Sequence, residues 1–192
     1  MTRARLHGSV VTGLLTAGVV ISVAALTMSC GSSDPATPSA PSPSGINSDA
    51  NLYQLITVTD PFRGYTVFPS AAEVTSGTLN GSSAHQPLVR VSINAKALSA
   101  LQNGMLPSGA KFPDTSAIVK DVRSSSGVTM EYTVIYKDAA NPLAGNGWLW
   151  AAFKPDGSVS YSIRDRGAEC VSCHSREQGP QHDSVRTFER QR

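Results

Sequence analysis

Two cysteines and a histidine near the C-terminus carry the clearest chemistry in the chain: Cys170-Val171-Ser172-Cys173-His174. Cysteines at the first and fourth positions of a helical turn project the same way, so both thiols can add to the two vinyl groups on one side of a haem. A histidine directly after the second cysteine then lies under the iron and ligates it through a ring nitrogen. Other chemistries use parts of this pattern. A disulfide oxidoreductase needs the two cysteines but not the histidine, and expects a βαβ setting near the chain start. A zinc site would have Cys170, Cys173 and His174 and must recruit His85 or His182 as a fourth ligand, with no second CxxC to help. In an exported chain the two cysteines can also oxidise to each other. Covalent haem c is the reading that demands all three residues in this order.

The sequence also bears on the other face of such an iron. No methionine follows His174. Met105 lies in an expected loop and Met130 on the apolar face of an expected strand, where a core role is the simpler one. His85 and His182 sit among polar residues and read as surface imidazoles. His174 is then expected to be the single protein ligand, leaving a face open to a small molecule. Trp148 and Trp150 share one strand face and read as core or dimer contacts.

Residues 1–29 have the parts of an export signal: Arg3 and Arg5, an apolar stretch from Val10 to Leu26 broken by Gly, Ser and Thr, then small residues. The interruptions make a membrane span the poorer reading. Leu26-Thr27-Met28-Ser29-Cys30 resembles a bacterial lipobox, with Cys30 as the lipid anchor; the leucine stands four places before the cysteine rather than three, so plain cleavage is the alternative. Residues 30–50 are rich in proline and serine and nearly free of apolar side chains, which makes them a tether. Residues 51–192 are the expected folded domain. These features predict an exported protein, periplasmic or at the cell surface, held to the membrane by its N-terminal lipid.

The formal charge of +2 comes from 16 Lys+Arg against 14 Asp+Glu. Removing Arg3 and Arg5 with the signal makes the mature chain formally neutral. No basic stripe with interleaved aromatics exists, so nucleic acid is not an expected partner. The arginines of the last stretch, among them Arg164, Arg166, Arg176 and Arg186, read as a solvated, salt-laced end.

Period-two alternation dominates the domain. Val89 to Ile93, Ala117 to Val122, Met130 to Tyr136, Trp148 to Phe153 and Val159 to Ile163 read as five strands. Lys154-Pro155-Asp156-Gly157 joins the last two as a hairpin. Asn94 can cap a helix from Ala95 to Asn103 with Gly104 ending it, and Leu52 to Val58, stopped by Asp60-Pro61, is a second helix. The expected fold is α+β, a five-stranded antiparallel sheet packed with a few helices and with the haem near the C-terminal CxxCH helix.

The order of these pieces resembles the cytochrome P-460 family and its relatives called cytochrome c-prime-beta. The matching residues are Val89 to Asn94 before a helix, Phe112-Pro113-Asp114 leading into Ala117-Ile118-Val119-Lys120, Gly147-Trp148-Leu149-Trp150, Pro155-Asp156-Gly157, and Cys170 to His174 followed by Asp183, Val185 and Thr187. Two departures stand out: Thr115 follows Asp114 where the family tends to have glycine, and Arg186 falls where an aromatic is usual. The resemblance implies a curved antiparallel sheet, a homodimer, and a five-coordinate haem with a distal pocket between sheet and cofactor. It also implies one of two activities. Some members oxidise hydroxylamine or nitric oxide, with a lysine joined to the porphyrin rim and a distal carboxylate; others lack the crosslink and bind nitric oxide in an apolar pocket. Lys111, Lys120 and Lys137 are the crosslink candidates and Glu131 the candidate carboxylate, with Lys120 and Glu131 taken as the catalytic pair if this is an enzyme. The expected function is a haem c cytochrome whose open face binds a diatomic or nitrogen-oxide ligand. The hydroxylamine- or nitric oxide-oxidising enzyme and a simple electron-transfer lipoprotein, served by a redox partner protein, are the alternatives.

Overall fold

The computed structural model describes residues 44–69, 73–78 and 84–190. The expected signal, Cys30 and most of the expected tether lie outside the described residues. The last part of that tether belongs to the folded body instead. Ile46 is buried, its carbonyl accepts from the Asn141 side chain at 2.8 Å, and Ser48 caps helix α1 (Asp49–Gln54) by accepting the Asn51 N–H. A single apolar residue and an N-cap serine in a polar stretch are a weak signal, which is why composition places the boundary too late.

Helix α1 runs on into a π turn over Leu55–Thr59. The sheet follows as β1 (Thr66–Val67), β2 (Thr75–Ser76), β3 (Leu88–Ile93), β4 (Ala117–Arg123), β5 (Thr129–Lys137), β6 (Trp148–Phe153) and β7 (Val159–Tyr161). All pairings are antiparallel, in the order β1-β3-β4-β5-β6-β7, with β2 also on β3. The class is the α+β expected, but the sheet has seven strands rather than five. The extra two are two-residue pieces, too short to show an alternating pattern. Helix α2 (Ala95–Leu98) starts at the expected cap, where Asn94 Oδ1 accepts from the Ala97 N–H at 2.9 Å, yet it ends well before Gly104.

Both faces of the sheet are covered, which explains why every residue of β6 is buried. On one face α1, the π turn, Phe62 and Tyr65 pack on Tyr132, Val134, Tyr136, Leu149, Ala151 and Phe153. On the other, Phe68, Phe112, Val185 and Phe188 pack on Val89, Val91, Ile118, Trp148 and Trp150. Met130 belongs to neither: it is exposed near the start of β5, so the core role expected for it is wrong. Strand alternation assigns a side but not whether the end of a strand is covered.

The C-terminal segment crosses the second face. Arg166 and Gly167 both take left-handed conformations, φ 51° and 70°, and turn the chain into helix α3 (Ala168–His174), which carries the whole AECVSCH stretch. A second left-handed pair, Asp183 and Ser184 at φ 53° and 70°, returns it beneath that helix.

Candidate haem site

The register of the central strands builds a floor. Lys120 pairs with Thr133 and Ile118 with Ile135, so even positions of β4 share a face with odd positions of β5. Ile135 in turn opposes Trp150, Thr133 opposes Ala152, and Ala152 opposes Tyr161. The result is one row of Ile118, Ile135 and Trp150 beside a second of Lys120, Thr133, Ala152 and Tyr161. A cavity of about 430 Å³ lies over this floor, within the range that takes a cofactor-sized molecule. Cys170, Cys173 and His174 line it from α3, Val185, Arg186 and Thr187 from the C-terminal segment, and His85 from the connection between β2 and β3.

The three motif residues are prepared differently. His174 Nδ1–H donates to the Ser184 carbonyl at 2.7 Å, which assigns the lone pair to Nε2, and its ring stands edge-on to Trp150 at 4.8 Å between centroids. Burial first, then the charge of Lys120, pushes the imidazole down to about 4, against the opposing pull of the Ser184 carbonyl. It is therefore neutral at physiological pH, the state a metal ligand needs. Cys170 and Cys173 are free thiols, both half-buried. Burial raises Cys170 above its ordinary value, offset in part by Tyr161. Burial also pushes Cys173 up, but Arg176 and Arg186 outweigh it and the thiol lies below its ordinary value. The Arg186 guanidinium reaches Cys173 Sγ at 3.1 Å and its carbonyl at 3.3 Å, while Glu189 holds it at 3.0 Å through both carboxylate oxygens and Glu177 at 2.9 Å. Arg186 is thus buried and paired, not part of a solvated end; the expectation missed that Glu189, one turn on, supplies the counter-charge.

These residues fit a haem. Two thiols on one helical turn and an imidazole whose remaining nitrogen is an acceptor line the same cavity, opposite a mostly apolar floor. The zinc alternative has no such support, because among the described residues no three His, Cys, Asp or Glu side chains converge as a metal site would need. The chain matches the family model described as Cytochrome P460 over residues 70–185, more than half its length. The chain belongs to the cytochrome P460 family. No curated protein matches it. Membership makes this a haem-binding cytochrome, and the α3 cavity is where its residues suit that group.

The other candidates divide. Lys120 and Glu131 both line the cavity; Glu131 also forms an ion pair with Lys154 at 3.6 Å near the edge. Lys111 is exposed and reaches Asp183 at 3.2 Å. Lys137, a crosslink candidate in sequence, is buried: its Nζ contacts both oxygens of Asp183 at 3.0 and 2.8 Å and lies 4.8 Å from the Trp148 ring centre. His182 is buried too, not at the surface. Its Nδ1 faces the Leu106 carbonyl at 3.1 Å, its ring packs on Phe188, and it is absent from the cavity lining. His85 does line the cavity, which its polar neighbours in sequence concealed. Ser184 was not foreseeable, since it acts through a backbone carbonyl that any residue carries.

Proposed function

We propose that the protein is a haem c cytochrome in which Cys170 and Cys173 form thioethers with the vinyl groups, His174 Nε2 is the axial ligand, and the floor side is left to a small ligand such as nitric oxide. The haem iron would supply a coordination position for a diatomic or nitrogen-oxide molecule and one-electron redox chemistry. The observation that carries this reading is the composition of the floor. Ile118, Ile135, Ala152 and Thr133 line the same cavity as Cys170, Cys173 and His174, Trp150 packs against His174 itself, and neither methionine nor cysteine stands among these floor residues. Apart from Thr133, Lys120 and Tyr161 the two rows are apolar, and they offer no thioether or thiolate to the iron.

His85 favours a second reading. An imidazole at the cavity lining is a candidate second axial ligand, and a protein with both positions filled is an electron carrier. Lys120 and Glu131 bear on a third, the oxidising enzyme, as the lysine and carboxylate available at the cavity. Export and anchoring through Cys30 belong to the same proposal. Their support is the signal-like N-terminus and the lipobox-like stretch from Leu26 to Cys30.

One preparation separates these. Holoprotein matured with haem should keep its cofactor mass after acid denaturation, and Cys173→Ala should retain a single thioether. The ferrous form should be high-spin before ligand is added and take nitric oxide rapidly, unchanged in His85→Ala. A low-spin ferrous spectrum that becomes high-spin in His85→Ala would replace this reading with the carrier. A chromophore altered by Lys120→Met, with a mass matching a third covalent link, would replace it with the crosslinked enzyme.

A further inference from the structure

The buried pair of Lys137 and Asp183 has no place in the chemistry above, and it is unusually complete. Asp183 is 1% exposed, and its two oxygens receive Lys137 twice, Lys111 at 3.2 Å and the Phe112 N–H at 2.9 Å, which fills the acceptor capacity of a carboxylate. Stability alone explains such a pair poorly, because taking two charges out of water offsets most of their attraction and an apolar replacement is often as good. What the pair secures is position. Asp183 and Ser184 are consecutive non-glycine residues at φ 53° and 70°, a conformation that persists only where the surroundings over-determine it. The restraints are all present. The Asp183 carbonyl accepts from Trp148 Nε1 at 2.8 Å, the Ser184 N–H donates to the Gly179 carbonyl at 2.8 Å, and Ser184 Oγ accepts from Asn146 at 2.5 Å. The group this corner presents is the Ser184 carbonyl, 2.7 Å from His174 Nδ1. Lys137 meanwhile shares the β5 face of Thr133 and Ile135, the cavity floor.

We propose that the Lys137–Asp183 pair is a positioning device for the axial imidazole: it ties the floor strand to the Asp183-Ser184 corner, so that the Ser184 carbonyl fixes the tautomer, orientation and donor strength of His174. This rests on His174 being the iron ligand. A hydrogen bond to Nδ1–H raises the basicity of Nε2, and a more basic ligand favours ferric over ferrous iron. Loosening the corner therefore shifts the balance toward ferrous. Outer partners of metal-bound histidines typically matter by a factor of ten or more. A tenfold shift of a one-electron equilibrium is about 59 mV.

The test uses holoprotein carrying Asp183→Asn with Lys137→Met, which removes both charges together. The readouts are the iron–histidine stretching frequency of the ferrous form and the midpoint potential. The stretch is expected to fall and broaden, and the midpoint to rise by about 59 mV. Lys137→Met alone leaves Asp183 with Lys111 and the Phe112 N–H and is expected to move both readouts the same way by less, so it decides the matter if the double variant does not accumulate. Leu52→Ala, buried on the opposite face of the sheet, is expected to lower the melting temperature and move neither readout. If Lys137→Met and the double variant lose stability while frequency and midpoint stay at wild-type values, the pair is structural only and the inference is overturned. A wild-type holoprotein with no iron–histidine mode would instead remove the assignment of His174 itself.

Discussion

Replacing Gly167 with alanine tests whether α3 is seated as tightly as the geometry implies. Gly167 precedes the haem-motif helix at φ 70°, and a Cβ there would sit 2.4 Å from Trp150 Cδ1 and 2.7 Å from its Nε1. Those distances are far inside contact, so the helix or the indole must move. Trp150 is poorly free to do so: it is 2% exposed, its Nε1–H donates to the Gly145 carbonyl at 2.8 Å, and its ring supports His174. Two costs add. A left-handed non-glycine residue costs roughly 1–2 kcal/mol, and overpacking a filled site costs roughly 1–3 kcal/mol. The expected loss is about 2–5 kcal/mol, a large share of an ordinary domain's 5–15 kcal/mol. Urea unfolding followed by far-ultraviolet circular dichroism measures it, and the Soret band of the holoprotein reports whether His174 has been displaced. Gly64→Ala is the control, since no atom lies within 4 Å of a Cβ there and its φ is not in the left-handed range; a change within about 0.5 kcal/mol is expected. A loss below 1 kcal/mol for Gly167→Ala with an unshifted Soret band would mean that α3 is not wedged against Trp150, and the account of how His174 is oriented would fall with it.

Two further outcomes follow. In a haem-free Cys170→Ala/Cys173→Ala chain, His174 protonates near its ordinary 6.5 when unfolded but only near 4 when folded, so stability is full above pH 6.5 and is lost as pH falls toward 4, by up to about 3 kcal/mol; a urea midpoint flat from pH 7 to pH 4 would contradict the buried neutral imidazole. Cys30→Ala is expected to release the protein from membranes or block its processing, read by fractionation and by the mass of the mature N-terminus, and a wild-type chain that starts elsewhere than Cys30 and washes free would refute the anchor.

Much of the scaffold was legible because it obeys local rules. Strands β3 to β6 fall within a residue or so of their alternating segments, the Lys154–Gly157 hairpin closes with the Gly157 N–H on the Lys154 carbonyl, and Asn94 caps its helix. The motif residues were legible because thioether chemistry dictates residue type and spacing together. What was not legible depends on partners distant in sequence. Arg186 reads as a surface charge until Glu177, Glu189 and Cys173 are brought around it. His182 and His85 carry the same local signal of polar neighbours, yet one packs beneath Phe188 and the other reaches the cavity.

The three lysines show why register is the missing information. Alternation says that Lys120 and Lys137 each lie on one side of a strand, but not that these are the same side, because parity reverses between β4 and β5 where Lys120 pairs with Thr133. Once paired, the two residues share a face and still differ. Lys137 lies at the end of β5, where Asp183 and the Trp148 ring occupy it on both sides, whereas Lys120 sits in the middle of the floor row with Thr133 and Ala152. Lys137 is held by a buried carboxylate, and the exposed Lys111, drawn to the same carboxylate at 3.2 Å, is not among the residues that line the cavity. Of the three lysines, Lys120 is the one that lines the cavity, and its charge depresses the protonation of His174.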